Sequence, residues 1–212
     1  MTRGKFITLE GGEGAGKSTQ VRLLKEALQR QGLEVVITRE PGGSIGAEEI
    51  RNLLVTGEPG RWDGMTEALL NFAARRDHFA KTIWPALDEG KWVISDRYAD
   101  STIAYQGYGH GLDMTALYQL WDIAIDGFRP DLTFVLDLPV EVGLERALGR
   151  GDGEDRYEKM ATQFHHDLRA GFLKIAAKET DRCCVIDATR SIEDIQADMQ
   201  TALCRRFEIT LS

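Results

Sequence analysis

Apolar residues in this chain alternate between two spacings. Short runs rich in β-branched residues fall near 5–10, 34–38, 91–96, 132–138 and 182–187, and the longer stretches between them repeat their apolar positions at helical spacing. That alternation predicts a parallel sheet covered by helices, an α/β architecture with five strands. In the first helical stretch Val21, Leu24 and Leu28 share one face while Gln20, Lys25 and Gln29 take polar positions, and Gly32 ends it. Thr56 to Gly64 reads as a surface loop, too short to link domains. A second polar stretch, Gly149 to Arg156, lies between a helix expected from about Val140 and another from about Tyr157. Its glycines and arginines suggest a short basic lid over about 149–156. No repeat or low-complexity segment interrupts the pattern, so residues 1–212 are expected to form one domain around one core.

Between the first strand and the first helix stands Gly11-Gly12-Glu13-Gly14-Ala15-Gly16-Lys17-Ser18, a complete G-x-x-x-x-G-K-[ST] phosphate loop, followed by Thr19. Glycines let backbone N–H groups turn onto phosphate oxygens, Lys17 brings charge to the β- and γ-phosphates, and the Ser18 hydroxyl is suited to Mg²⁺. The dipole of the following helix adds positive potential. A chance glycine-rich turn does not account for all eight positions in this strand–turn–helix setting, so a nucleoside triphosphate is expected to bind here.

Composition narrows the partners. With a net charge of −8 the chain lacks the basic surface of a general nucleic-acid binder. Three cysteines without CxxC or Cys/His spacing argue against a disulfide framework or zinc site, and four histidines without ligand spacing read as surface or packing residues. Met1 to Gly4 run straight into the first strand, and no stretch has the length of a membrane span. A soluble, cytoplasmic protein with no membrane or nucleic-acid partner is the expectation.

Ligands of open parallel sheets gather at the carboxyl ends of the strands. Asp96 and Arg97 end the third apolar run; an Asp there can hold Mg²⁺, directly or through water, and an Arg can clamp a phosphate. A capping Asp beside a surface Arg is the plainer alternative, which the phosphate loop disfavours. Thr38-Arg39-Glu40-Pro41-Gly42-Gly43 ends the second run at the same edge, with Glu40 a second carboxylate near the metal position. Arg51 can reach a phosphate or lie on a solvated helix face. Phe72 and Arg76 stand four residues apart on one helix face, where a ring and a guanidinium can hold a nucleobase, although Phe72 can equally pack in the core beside Leu69 and Leu70. Ser101, Thr102, Tyr105, Gln106 and Gly107 can line a small polar pocket or form a capped loop helix.

Taken together, the phosphate loop, Thr38 to Gly43, Phe72 to Arg76, Asp96-Arg97-Tyr98 with Ser101 to Gly107, and Asp155-Arg156-Tyr157-Glu158 closely resemble the thymidylate kinase family over residues 5 to about 192. The resemblance implies a three-layer P-loop nucleoside monophosphate kinase fold with a short lid, phosphorylation of dTMP to dTDP by ATP and Mg²⁺ in dTTP biosynthesis, and a homodimer. It implies that Phe72 stacks on thymine and Arg76 bonds its carbonyl edge. Thr102, with Ser101, would read the base, and Arg51 and Arg97 would hold the acceptor phosphate. Gln106 would lie over the nucleotide and Tyr105 would disfavour a ribose. Glu13 is the family's acidic loop position. In one branch an Arg fills the place of Gly14; here, as in the bacterial branch, lid arginines replace it, with Arg146, Arg150 and Arg156 available and Leu148 where some relatives carry another. Lys17, Glu13, Arg97, Arg150 and Arg156 are thus the expected catalytic set, and Ser18 and Asp96 the metal pair. The ATP adenine is placed by resemblance near the turn after Val185-Ile186-Asp187. Two competing functions are a deoxynucleoside kinase, whose neutral hydroxyl acceptor needs a base, and a P-loop nucleotide switch. Against the switch stand the lack of an N-K-x-D motif and Gly12 where partition ATPases carry a signature Lys.

Overall fold

The structure is a computed structural model that describes residues 3–148, 156, 157 and 159–211. Five strands form one parallel sheet: β1 (Phe6–Glu10), β2 (Val35–Arg39), β3 (Trp92–Asp96), β4 (Leu132–Asp137) and β5 (Cys183–Asp187), in the order β2-β3-β1-β4-β5. Each strand lies within about a residue of its expected place, because apolar runs between helical patterns leave little choice of register.

Alternation along the strands divides the interior in two. Ile7, Leu9, Trp92, Ile94, Phe134 and Leu136 face α1 (Lys17–Arg30) and α9 (Ile192–Phe207), which contribute Val21, Leu24, Leu28, Ile195, Met199 and Leu203. Phe6, Val93 and Val135 face the other way, onto α3 (Gly64–His78), α6 (Met114–Ile125) and α8 (Thr162–Lys178). The outcome is helix, sheet, helix: the expected three layers, but with a core on each face of the sheet rather than one.

Three further helices among the described residues are shorter: α2 (Ile45–Val55), α4 (Trp84–Asp88) and α7 (Val140–Leu148). Helix α3 runs into α4 through a π-helical turn, Phe79–Ile83. Pro85 in the first turn of α4 has no N–H to give the preceding turn, and the wider π turn accommodates that loss. After β3 a single turn, α5 (Ala99–Thr102), passes into a second π-helical segment, Ile103–Gly109, which carries Tyr105 and Gln106. The helix expected from about Tyr157 begins later, at Thr162, because Arg156 and Tyr157 form a turn whose side chains are anchored on α3. Residues 149–155, including Arg150, and Glu158 lie outside the described residues.

Candidate active site

Central strand β1 delivers the phosphate loop to the carboxyl edge of the sheet, where strand order reverses. Two glycines in it are required by geometry. Gly11 has φ of 134°, and a Cβ there would sit 2.5 Å from the Leu136 carbonyl oxygen. Gly14 has φ of 69° and packs its α-carbon directly on the Gly143 backbone of α7, leaving no room for a side chain. Lys17 is buried and donates to the carbonyls of Gly11 (3.2 Å) and Gly12 (2.8 Å). Burial, with help from the neighbouring Arg97 charge, lowers its pKa to about 8.

Register between β1 and β3 sets Leu9 beside Asp96, so the end of β3 meets the loop. Ser18 Oγ donates to Asp96 Oδ2 at 2.7 Å, which brings the expected metal pair together. The next residue, Arg97, has φ of 69°, a strained value for a side-chain-bearing residue, held by its N–H bond to the Leu9 carbonyl (2.9 Å). This turn sends its guanidinium under the loop, to the Gly11 carbonyl (2.9 Å), Ser101 Oγ (3.2 Å) and Glu13 Oε1 (2.8 Å). Tyr105 also donates to Glu13 Oε1, at 2.5 Å. Below them, Glu10 accepts from the Tyr98 N–H (2.7 Å) and Ser101 Oγ (2.6 Å), and burial, together with Asp100, pushes its carboxyl up to about 8.

One cavity of about 510 Å³ opens from the loop toward α2 and α3. Gly16, Lys17, Ser18 and Thr19 border its donor end, and Glu13, Asp96 and Arg97 its middle. Ser101 and Tyr105, bonded to Arg97 and Glu13, also border it, as do Glu40, Arg51, Asn71, Thr102, Gln106 and Tyr157. Glu40 is held between Arg75 Nε (Oε2, 2.6 Å) and His78 Nδ1 (Oε1, 2.9 Å), and His78 Nε2 lies 2.6 Å from Thr38 Oγ1. His78 is therefore a buried link in a polar chain and not a surface residue. Arg51 Nη1 donates to the Pro41 carbonyl at 2.7 Å, which settles its orientation toward the cavity.

Three expected site residues are placed elsewhere. Phe72 is buried in the core on the α3 face of the sheet, and Arg76 is exposed, donating to the Ala124 carbonyl at 3.3 Å. The inner face of α3 is set by Ala68 and Phe72, whereas Leu69 is 51% exposed and supplies no core. One residue earlier in the helix, Asn71 and Arg75 form the pair that flanks the cavity. Asn71 lines it, and Arg75 stands behind the wall, donating to Thr102 Oγ1 (3.1 Å) and the Tyr98 carbonyl (3.0 Å) as well as to Glu40. Because Thr102 Oγ1 accepts from Arg75, its own hydrogen is left to point elsewhere. Arg156, expected at the transferring phosphate, is 2% exposed, and its guanidinium is engaged by Glu67, the Leu54 carbonyl (2.9 Å) and the Glu58 carbonyl (3.3 Å). Asn71, Arg75, Glu67 and Tyr157 were not expected at the site. Their signal was a polar series, Glu67, Asn71, Arg75 and His78, recurring at helical spacing within an otherwise apolar face.

No helix among the described residues is long and apolar enough to cross a membrane, and Cys183, Cys184 and Cys204 are free. The family model for thymidylate kinase matches residues 9–199. A thymidylate kinase of Caulobacter vibrioides is 50% identical over 207 residues, covering 98% of this chain and 99% of the relative. One from Dinoroseobacter shibae is 52% identical over 196 residues, covering 92% and 94%. The crystal structure of thymidylate kinase from Ehrlichia chaffeensis superposes with a TM-score of 0.76 at 38% identity, covering 95% of this chain and 99% of that one. With its phosphate loop, strand order and cleft in place, this chain belongs to the thymidylate kinase family.

Proposed function

We propose that the cavity holds ATP and dTMP end to end and that the chain acts as one kinase domain. A thymidylate kinase transfers a phosphoryl group from ATP to dTMP, and this chain does so. Phosphoryl transfer rests on positioning and charge stabilisation, and the acceptor oxygen of a monophosphate is already ionised, so no strong base is needed. The carboxylates accordingly serve as organisers. Glu13 fixes Arg97 and Tyr105; Arg97 and Arg51 are the cations facing the acceptor phosphate, and Lys17 serves the donor. Arg150, outside the described residues, is the family-implied further charge at the transferring group. The observation that carries this reading is that one cavity is bordered by Lys17, Arg97 and Asn71 together.

Ser18 and Asp96 suit Mg²⁺: two hard oxygens in contact, with none of the larger His, Cys, Asp or Glu clusters that a closed protein cage requires among the described residues. When bound, the ion would neutralise phosphate charge; Ser18 and Asp96 would hold it, and Arg97 would keep the neighbouring phosphate aligned.

At the base end, Asn71 and Thr102 present polar atoms to the thymine edge with Arg75 behind them, and Tyr105 packs near the sugar. Ser101 and Gln106 complete the wall, and Glu40 anchors Arg75. Exposed Leu69 of α3 and Ile123 of α6 favour a homodimer through the outer helices, and free thiols suit a cytoplasmic setting. Measuring ADP release with ATP, Mg²⁺ and either dTMP or thymidine tests the activity. Turnover with dTMP is expected; turnover with thymidine alone would restore the deoxynucleoside kinase, and hydrolysis indifferent to both would restore the switch.

A further inference from the structure

We propose that the buried Glu67–Arg156 pair is a positioning device that sets the geometry of the acceptor end of the cleft. Glu67 is fully buried and does not itself border the cavity, yet its carboxylate holds two cavity residues. Its Oε2 accepts from Gln106 Nε2 at 3.0 Å and from the Tyr157 hydroxyl at 3.3 Å, and its backbone carbonyl accepts from Asn71 Nδ2 at 2.9 Å. Its Oε1 accepts from Arg156 Nη2.

Arg156 carries the linkage to a second helix. The Leu54 carbonyl it binds belongs to the last turn of α2, where carbonyls lack partners within the helix and a cation is favoured. Arg51, on that same helix a turn earlier, borders the cavity. One ion pair therefore ties together the helix bearing Arg51, the helix bearing Asn71, and the segments bearing Gln106 and Tyr157. A buried ion pair adds little net stability over an apolar pair of like volume, but it fixes direction. Glu67 and Arg156 touch no substrate in this account; they act through Gln106 and Tyr157, which Glu67 holds, and through the end of α2, which Arg156 holds.

The proposal rests on the far end of the cavity being the dTMP site. Its test is steady-state kinetics of Glu67→Gln, Arg156→Lys and the double variant, with thermal melts of each. Lysine keeps the charge beside Glu67 but serves fewer of the three acceptors than the forked guanidinium. Each single variant is expected to raise KM for dTMP about tenfold or more and leave KM for ATP within about twofold. The double variant should be no worse than the poorer single one, since both break the same junction. If Glu67→Gln does not fold, Arg156→Lys carries the same expectation alone. Lower melting temperatures with both KM values unchanged, or equal rises in both, would overturn the proposal. So would a fall in kcat of orders of magnitude at constant KM for dTMP, which would place Arg156 on the transferring phosphate. A wild-type chain that does not use dTMP would instead remove the reading on which the proposal rests.

Discussion

Arg75 Nε meets Glu40 Oε2 at 2.6 Å with both side chains almost wholly buried, joining α3 to the turn after β2. Since His78 leans on the other carboxylate oxygen, Glu40 is the common anchor of two α3 side chains. Removing its charge strands the guanidinium in the interior. Glu40→Gln is expected to cost about 3–5 kcal/mol, as for the loss of one partner from a buried pair. Urea denaturation of the two proteins measures this directly, and a loss under about 1 kcal/mol would show that the pair contributes nothing beyond packing.

Gly14 marks a different constraint. Its left-handed backbone and its contact with Gly143 both exclude a side chain, so Gly14→Ala must displace α7 or distort the loop. The expected loss is about 1–3 kcal/mol of stability, accompanied by weaker ATP binding. Denaturation curves with and without ATP check both effects. The same crowding explains in physical terms why an arginine cannot stand at this position without rearrangement of α7.

Lys17 is expected to contribute to the pH dependence of ATP binding. Its pKa of about 8 lies below the ordinary lysine value because burial, and then Arg97, penalise the ammonium. A triphosphate favours the ammonium and raises that pKa, so binding must draw a proton from solvent once the free enzyme has begun to lose it. At pH 8 ATP binding should take up about half a proton at Lys17, and at pH 6.5 almost none. Calorimetry in buffers of different ionisation enthalpy reads the net uptake, to which Glu10, its carboxyl pushed up to about 8, adds with the same sign. Uptake that does not grow between those pH values would contradict the assignment.

Strand positions, layers and the donor loop are legible because they are carried by local signals: apolar runs, helical periodicity and a contiguous glycine motif; the strand order is not, since it depends on which distant strands pair. Ser18, Asp96, Arg97, Arg51, Thr102 and Gln106, singled out from the sequence, all border one cavity. What failed was rotation about a helix axis. Phe72 and Arg76 obey the same four-residue spacing as Asn71 and Arg75, and spacing alone does not say which pair faces inward. The aromatic residue went to the core, as large apolar side chains on an inner face do, and carried the register with it. Arg156 was misplaced for a related reason: its partner Glu67 is 89 residues away in sequence, and nothing local announces a pair at that distance.

The assignment of the acceptor wall to the Asn71–Arg75 face is the claim on which the account turns, and comparing Arg75→Lys with Arg76→Lys tests it most directly. The measurement is kcat/KM for dTMP, with melting temperatures recorded alongside. Arg75→Lys is expected to lose about 10- to 100-fold, the worth of charge-assisted hydrogen bonds at Thr102 and Glu40, while Arg76→Lys stays within about twofold of the parent. The reverse pattern, with Arg76→Lys crippled and Arg75→Lys near normal, would contradict the account and return the base to Phe72 and Arg76.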